Sequence, residues 1–397
     1  MSDKGAYNPR IHWFAVVTAV ATLGLIGVGG IVTSKGVGMA VPDWPSTYGY
    51  NMFFFPVSQW VGGIFWEHSH RLMASGVGLL TVLLSVWTFG WGGRKFLRFF
   101  LAPLLGIGSL LCFVVAEPQI QDGTLLGGLA GLALGTSFFW PRCQPSPRLI
   151  QRLSVAAVIG VIGQGVLGGL RVQLFLDDIG IVHAAVAQLF LVLLASIALF
   201  TSRWGAAALG RGVTTTLRTC ALGWGLVCLM VLIFGQLLLG ATMRHQHAGL
   251  AVPDFPLAYG KIWPATDEAS VSAANLDRVD PREFNPITRE HILLHMAHRV
   301  TALVIFAVAL LLVVGATKML PRGHWFANLL ILWFALICVQ GLMGAATVWS
   351  KKAADIATLH VVFGALTLVL GSLLSTISFC LAQAVPRRVS VSVGSLP

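Results

Sequence analysis

Gly38-Met39-Ala40-Val41-Pro42-Asp43-Trp44-Pro45 returns as Gly249-Leu250-Ala251-Val252-Pro253-Asp254-Phe255-Pro256, and Tyr48-Gly49 returns as Tyr259-Gly260, all at an offset of 211 residues. Further along, Gln164-Gly165-Val166-Leu167-Gly168 is matched by Gln340-Gly341-Leu342-Met343-Gly344, and Ile181-Val182-His183 by Thr358-Leu359-His360. Matches in one order on this scale mark an internal duplication. The fold is therefore one unit used twice.

The nature of that unit follows from composition. Of 397 residues, 56% are hydrophobic and only 10% charged, too few polar side chains to keep the surface of a soluble globule wet. Apolar runs of membrane-spanning length fall near 12–34, 63–90, 97–116, 123–141, 150–170, 180–201, 218–242, 290–315, 325–348 and 356–381, so an all-α integral membrane protein of about ten spans is expected. The first twelve residues are too short and polar to be a cleaved signal, and the first apolar run is expected to be a retained membrane helix. The net charge of +11 is scattered between apolar runs and forms no stripe for nucleic acid. Its clusters are Lys4 and Arg10; Arg94, Lys95 and Arg98; Arg142, Arg148 and Arg152; Arg203, Arg211 and Arg218; Lys318 and Arg322; and Arg387 and Arg388. With alternating spans all six fall on one side, which places both termini in the cytoplasm, against a local exception at Lys351 and Lys352. The opposite side carries the long polar connections 35–62 and 243–289. None of the six cysteines forms a CxxC, so neither zinc nor a disulfide framework is indicated.

Each half carries a histidine pair: His70 and His183 in residues 1–210, His298 and His360 in 211–397. The first pair is 113 residues apart and the second 62, and the excess falls at about 97–148. This predicts two pseudo-symmetric four-helix transmembrane bundles, with an extra transmembrane hairpin in the first half.

Both histidines of a pair lie near the non-cytoplasmic ends of their helices, so they can meet at one depth. Two imidazoles facing across a bundle core suit the axial positions of a b-type haem. Any one of them could instead make a core hydrogen bond, but an uncompensated polar side chain is costly in a membrane helix. Gly160, Gly163, Gly165, Gly168 and Gly169, with Gly341 and Gly344, would leave room for a flat macrocycle or pack helices closely. Glu67 stands one turn outward of His70, where the second half has His295 one turn from His298. A carboxyl in an apolar span is expected to have a raised pKa and to exchange protons beside a haem edge; the competing reading pairs it with Arg71 at i+4. Arg71 and Arg299 are suited to haem propionates, or to snorkelling toward lipid phosphate. His68, His245, His247 and His291 are read as outer-surface residues with no specific role. Trp44 and Phe255 could gate two haem entrances or anchor loops.

The Glu67-His68-Ser69-His70-Arg71 motif, His183, His298-Arg299, His360 and the Pro-Asp-Trp-Pro type loops together resemble the haem A synthase family over nearly the whole chain outside 97–148. The resemblance implies an oxidoreductase of two helical bundles in the bacterial cell membrane. It would oxidise the C8 methyl of haem O to a formyl group by successive hydroxylations, giving haem A for aa3-type cytochrome oxidase. By the same resemblance His298 and His360, with Arg299, would hold a resident haem b. His70 and His183, with Arg71, would flank the substrate haem near the outer face, and Glu67 would be the essential acidic group. Its implied partners are a haem O synthase, cytochrome oxidase assembly factors and an electron-transfer protein. The extra hairpin and the absence of a loop cysteine pair depart from the family pattern. Two other classes remain open on the residues: a non-catalytic di-haem b electron carrier, and a haem exporter or chaperone. A haem O synthase is disfavoured, since there is no aspartate-rich motif to hold Mg²⁺.

Overall fold

The computed structural model describes residues 7–115, 120–140, 143–209, 217–278 and 286–382. Ten helices form its frame: α1 (Pro9–Ser34), α2 (Gly62–Thr88), α3 (Ala102–Val115), α4 (Ile120–Phe139), α5 (Arg148–Leu174), α6 (Asp177–Thr201), α7 (Leu217–His245), α8 (Arg289–Met319), α9 (Trp325–Trp349) and α10 (Ala354–Ala382). In an apolar phase every backbone N–H and C=O must be satisfied within its own segment, and a helix does that. The ends are capped by side chains. Asn8 accepts from the N–H groups of Arg10 and Ile11, with Pro9 as the first helical residue, and Thr288 and His291 close a reciprocal cap on α8.

Among the described residues nine helices are long and apolar enough to cross a membrane. The tenth expected span, 123–141, is α4, a 20-residue helix; Gly123, Gly127, Gly128, Gly131 and Gly135 dilute its apolar character. The span expected at 97–116 begins earlier, because the helical run is continuous from Trp91 through a π turn at Leu97–Leu101 into α3. Arg94, Lys95 and Arg98 thus lie in its first turns. Of the other basic clusters, Lys4, Arg142, Arg211, Arg387 and Arg388 lie outside the described residues, as does the boundary between 210 and 211.

Helices α1, α2, α5 and α6 pack as one bundle and α7, α8, α9 and α10 as the other, joined where α1 meets α10 and α6 meets both α7 and α10. The first bundle closes on Ile11, Ala15, Val77, Leu84, Ala157, Phe190, Leu194 and Ile197. The second closes on Leu226, Leu229, Ile305, Ala309, Phe326, Leu330 and Trp333, with the Trp333 indole donating to the Thr367 carbonyl at 2.9 Å. Leu311, Leu332 and Ile159 face outward and are largely exposed, as lipid-facing side chains are. The inserted pair α3 and α4 pack on each other, Ser109 donating to the Gly123 carbonyl at 2.6 Å. They dock on the inner end of α2 through Val86, Leu97, Ala102 and Ala133. Val86 lies roughly 24 Å along α2 from His70 at 1.5 Å per residue, so the insertion leaves the histidine pairs to the core helices.

Candidate functional site: two histidine pairs under two matched loops

The four histidines stand at matching heights, eight residues into α2 and nine into α8, six into each of α6 and α10, or roughly 9 to 14 Å below the helix starts. Each ring sits against a glycine on the preceding core helix. A Cβ at Gly29 would lie 3.0 Å from the His70 Cε1, at Gly168 3.4 Å from that of His183, at Gly240 3.2 Å from that of His298, and at Gly344 3.2 Å from that of His360. All four Nδ1 atoms are sealed from solvent without a hydrogen-bond partner, while each ring as a whole is only part-buried. His70 and His183 interact electrostatically, as do His298 and His360. Among the described residues no three His, Cys, Asp or Glu side chains converge. Pairs of imidazoles suit a metal whose remaining ligands come with it, as in a porphyrin. With Nδ1 sealed and the ring otherwise part-buried, Nε2 is the nitrogen each histidine leaves to meet such a group.

Three of the histidines are held from behind. Gln164 donates its Nε2 to the His183 carbonyl at 3.2 Å, Gln236 to the His298 carbonyl at 2.9 Å, and Gln340 to the His360 carbonyl at 2.9 Å. Every glutamine stands four residues before the glycine its histidine rests on. The repeated Gln-Gly segments were visible in the sequence; this use of them needed the fold.

Above the pairs the two long connections share a set of hydrogen bonds. Asp43 accepts from the N–H groups of Tyr48 and Gly49, Asp254 from those of Tyr259 and Gly260. The Tyr48 and Tyr259 hydroxyls donate to the Ala40 and Ala251 carbonyls. Arg71 donates to the carbonyls of Val41, Asp43 and Ser46, and Arg299 to those of Val252, Asp254 and Leu257. The Nη atoms expected to meet propionates are thus engaged with loop backbone, because the loops bring three unsatisfied carbonyls within reach of each guanidinium. Glu67, only 4% exposed, pairs with Arg71 at 2.8 Å and accepts from the Val41 N–H at 2.9 Å. The i+4 pairing weighed from sequence is therefore the arrangement present. His295 accepts from the Val252 N–H at 3.3 Å in the corresponding place.

Trp44 lies over the first bundle, its indole against Gly169, where a Cβ would come within 2.4 Å; Gln173 donates to its carbonyl at 2.9 Å. Phe255 is held in the same way by the Trp349 indole at 3.1 Å, with the Arg299 guanidinium over its ring. Both rings are anchored to the helix ends below them. Of the other candidate glycines, Gly160 contacts Phe190, and Gly163, Gly165 and Gly341 face open space.

Two residues read as surface histidines are buried. His68 is fully enclosed, bonded to the Thr47 hydroxyl at 3.2 Å and ringed by Phe55 and Trp60, because the loop folds back over the start of α2. His245 is buried at the seam, packed beside Gly180 and Arg171. His247 is exposed, and His291 serves in the α8 cap. Sequence reading also passed over Arg171 and Arg244. Arg171 acts electrostatically on both His70 and His183, Arg244 on His360. Arg244 also donates across the seam to the Gly30 carbonyl and the Ser34 hydroxyl of α1. The signal that could have found them is their lone positive charge at the ends of apolar runs, on the side where the histidines lie.

A family model described as cytochrome oxidase assembly protein, COX15-CtaA, matches residues 124–371. The haem A synthase of Methylobacterium radiotolerans is 26% identical over 91% of this chain and 90% of its own length. That of Bacillus cereus strain 03BB102 is 24% identical over 89% of this chain and 88% of its own.

Proposed function

The chain belongs to the COX15-CtaA family of cytochrome oxidase assembly proteins, and from that premise we propose that it is a haem A synthase, a multi-pass membrane oxidoreductase that converts haem O to haem A. The reaction is the oxidation of the haem O C8 methyl to a formyl group, and its product serves aa3-type cytochrome oxidase. The observation that carries the reading is the fourfold seat: a histidine resting on a glycine with Nδ1 sealed and Nε2 left to bind, twice in each bundle. Neither the electron-carrier nor the exporter alternative is favoured by the relatives, which are named for haem A synthesis.

In this reading His298 and His360 hold a resident haem b in the second bundle, and His70 and His183 flank the substrate haem O in the first. When bound, haem b supplies one-electron transfer. The chain's own residues bind, orient and enclose. Arg171 and Arg244 place positive charge beside the first and second pair respectively, where porphyrin carboxylates can be oriented. Arg71 and Arg299 act one step further out, fixing the loops that cover each site and exclude water. Glu67 is held by Arg71 and the Val41 N–H one turn from His70; its proposed role is to stabilise positive charge that develops beside the substrate and to exchange a proton there. By the distribution of basic residues, both termini would lie in the cytoplasm of a bacterial cell and the haem sites near the outer face of its membrane. A haem O synthase would deliver substrate, and assembly factors and an electron-transfer protein would complete the exchange.

The test is haem extraction from membranes expressing the protein with a haem O source. Haem A is expected from the parent protein and is lost in Glu67→Ala and His70→Ala. Undiminished haem A in both variants would sink the assignment of the first bundle to chemistry.

A further inference from the structure

The four histidine seats are not equal, and the difference lies behind the ring. In three of them a glutamine four residues before the seating glycine ties the helix carrying the histidine to its neighbour: Gln164 for His183, Gln236 for His298, Gln340 for His360. In the fourth the seating glycine is Gly29, and four residues before it stands Leu25. Leu25 corresponds to Gln236 at the same offset of 211 that relates the loops. Its side chain packs into the apolar cluster of the first bundle and has no group to donate to the His70 carbonyl. Both ligands of the second pair are therefore tied to the adjoining helix by a side-chain amide, whereas in the first pair only His183 is.

We propose that His70 is the exchangeable ligand of the first site, and that Leu25 is the positioning residue that leaves it so. The inference rests on the reading of the histidine pairs as haem ligands. It supplies what that reading requires: a resident cofactor stays, whereas a substrate must enter and its product must leave. Among the described residues no side-chain hydrogen bond ties α2 to α1 at the height of His70, so a small displacement of α2 lengthens the His70 side of the site while His183 keeps its place. Interhelical hydrogen bonds in membranes are modest in strength, enough to change a rate without deciding the fold.

Carbon monoxide binding to the reduced holoprotein reads ligand release directly, because in a bis-histidine haem one imidazole must leave before the gas can bind. The first-site haem is expected to bind carbon monoxide faster than the second. Leu25→Gln is expected to slow that fast phase roughly three- to tenfold, the effect of one membrane hydrogen bond. Gln236→Leu is expected to quicken the second-site haem by a similar factor while its content and low-spin spectrum persist. Where Leu25→Gln does not fold, Gln236→Leu decides by itself. A fast phase unchanged in a folded Leu25→Gln protein, or a second-site rate unmoved by Gln236→Leu, overturns the proposal. Parent holoprotein without a low-spin bis-histidine spectrum overturns instead the haem reading on which it rests.

Discussion

The two bundles are alike in backbone hydrogen bonding and unlike in charge and bulk. Their covering loops repeat the same carboxylate turn, tyrosine tether and arginine fan. Yet Glu67 corresponds to His295, Trp44 to Phe255, Gly169 to Ala345 and Leu25 to Gln236. Duplication has preserved the loop clamp, the four histidines and the glycines they rest on, and has varied these four positions. Symmetry therefore marks the scaffold, and its breaks mark where the two bundles differ in structure.

The charge difference predicts the largest effect. Arg71→Ala removes three loop carbonyl bonds and also strands the buried Glu67 carboxylate, whose side chain is 5% exposed. Arg299→Ala removes three comparable bonds but leaves only His295 behind. Stranding one member of a buried ion pair costs about 3 to 5 kcal/mol, and losing bonds from a charged donor costs about 1.5 to 3 kcal/mol. Arg71→Ala should therefore open its loop to protease more than Arg299→Ala does, and adding Glu67→Gln should recover part of the loss. Equal sensitivity in the two single variants, with no recovery, would show that the ion pair adds nothing to a common loop clamp.

Next in size is the difference in bulk. Trp44 is admitted because Gly169 has no side chain, while in the second bundle a smaller ring, Phe255, accompanies the buried Ala345. Gly169→Ala should cost about 1 to 3 kcal/mol by overpacking, and Trp44→Phe in the same chain should return most of it. Thermal midpoints of the two single variants and the double variant measure the coupling. If Trp44→Phe gives no rescue, the ring and the glycine are not a size-matched pair.

These contrasts also show what a linear reading can reach. The duplicated loops, the inserted hairpin and the four histidines stand in the sequence because each repeats as a short segment at a regular spacing. The functions of Arg71, Glu67 and His68 do not, because each depends on how a loop of some twenty-five residues folds back over a helix start. A loop carbonyl has no residue identity to betray it, so the bonds from the guanidiniums to the backbone of Val41 and Val252 could not be read from the sequence. Half-buried Arg171 and Arg244 escape a linear reading for a related reason. A single charge at the end of an apolar run looks like an interface residue until the neighbouring bundle closes on it.

The smallest effect separates the two carboxylate turns. Asp43 accepts from Tyr48 and Gly49 as Asp254 does from Tyr259 and Gly260, but it also receives the Ser46 hydroxyl at 2.6 Å, where the second loop has Leu257. Burial works against ionisation of Asp43, yet the bonds from Gly49, Ser46 and Tyr48 outweigh it and hold its pKa below the ordinary 3.8. A carboxylate lowered on folding contributes stability that is present in full above its unfolded value and is lost as pH falls through the lower folded one. The first loop should therefore loosen only when the pH drops below about 3.8, a change that Trp44 fluorescence would follow. Asp43→Asn should abolish the step, because an amide has no proton to gain there. Ser46→Leu, which gives the first turn the residue of the second, should move the step upward toward the ordinary value. An acid step that keeps its position in the Ser46→Leu variant would mean that the backbone N–H groups alone set it, and that the two turns are electrostatically the same.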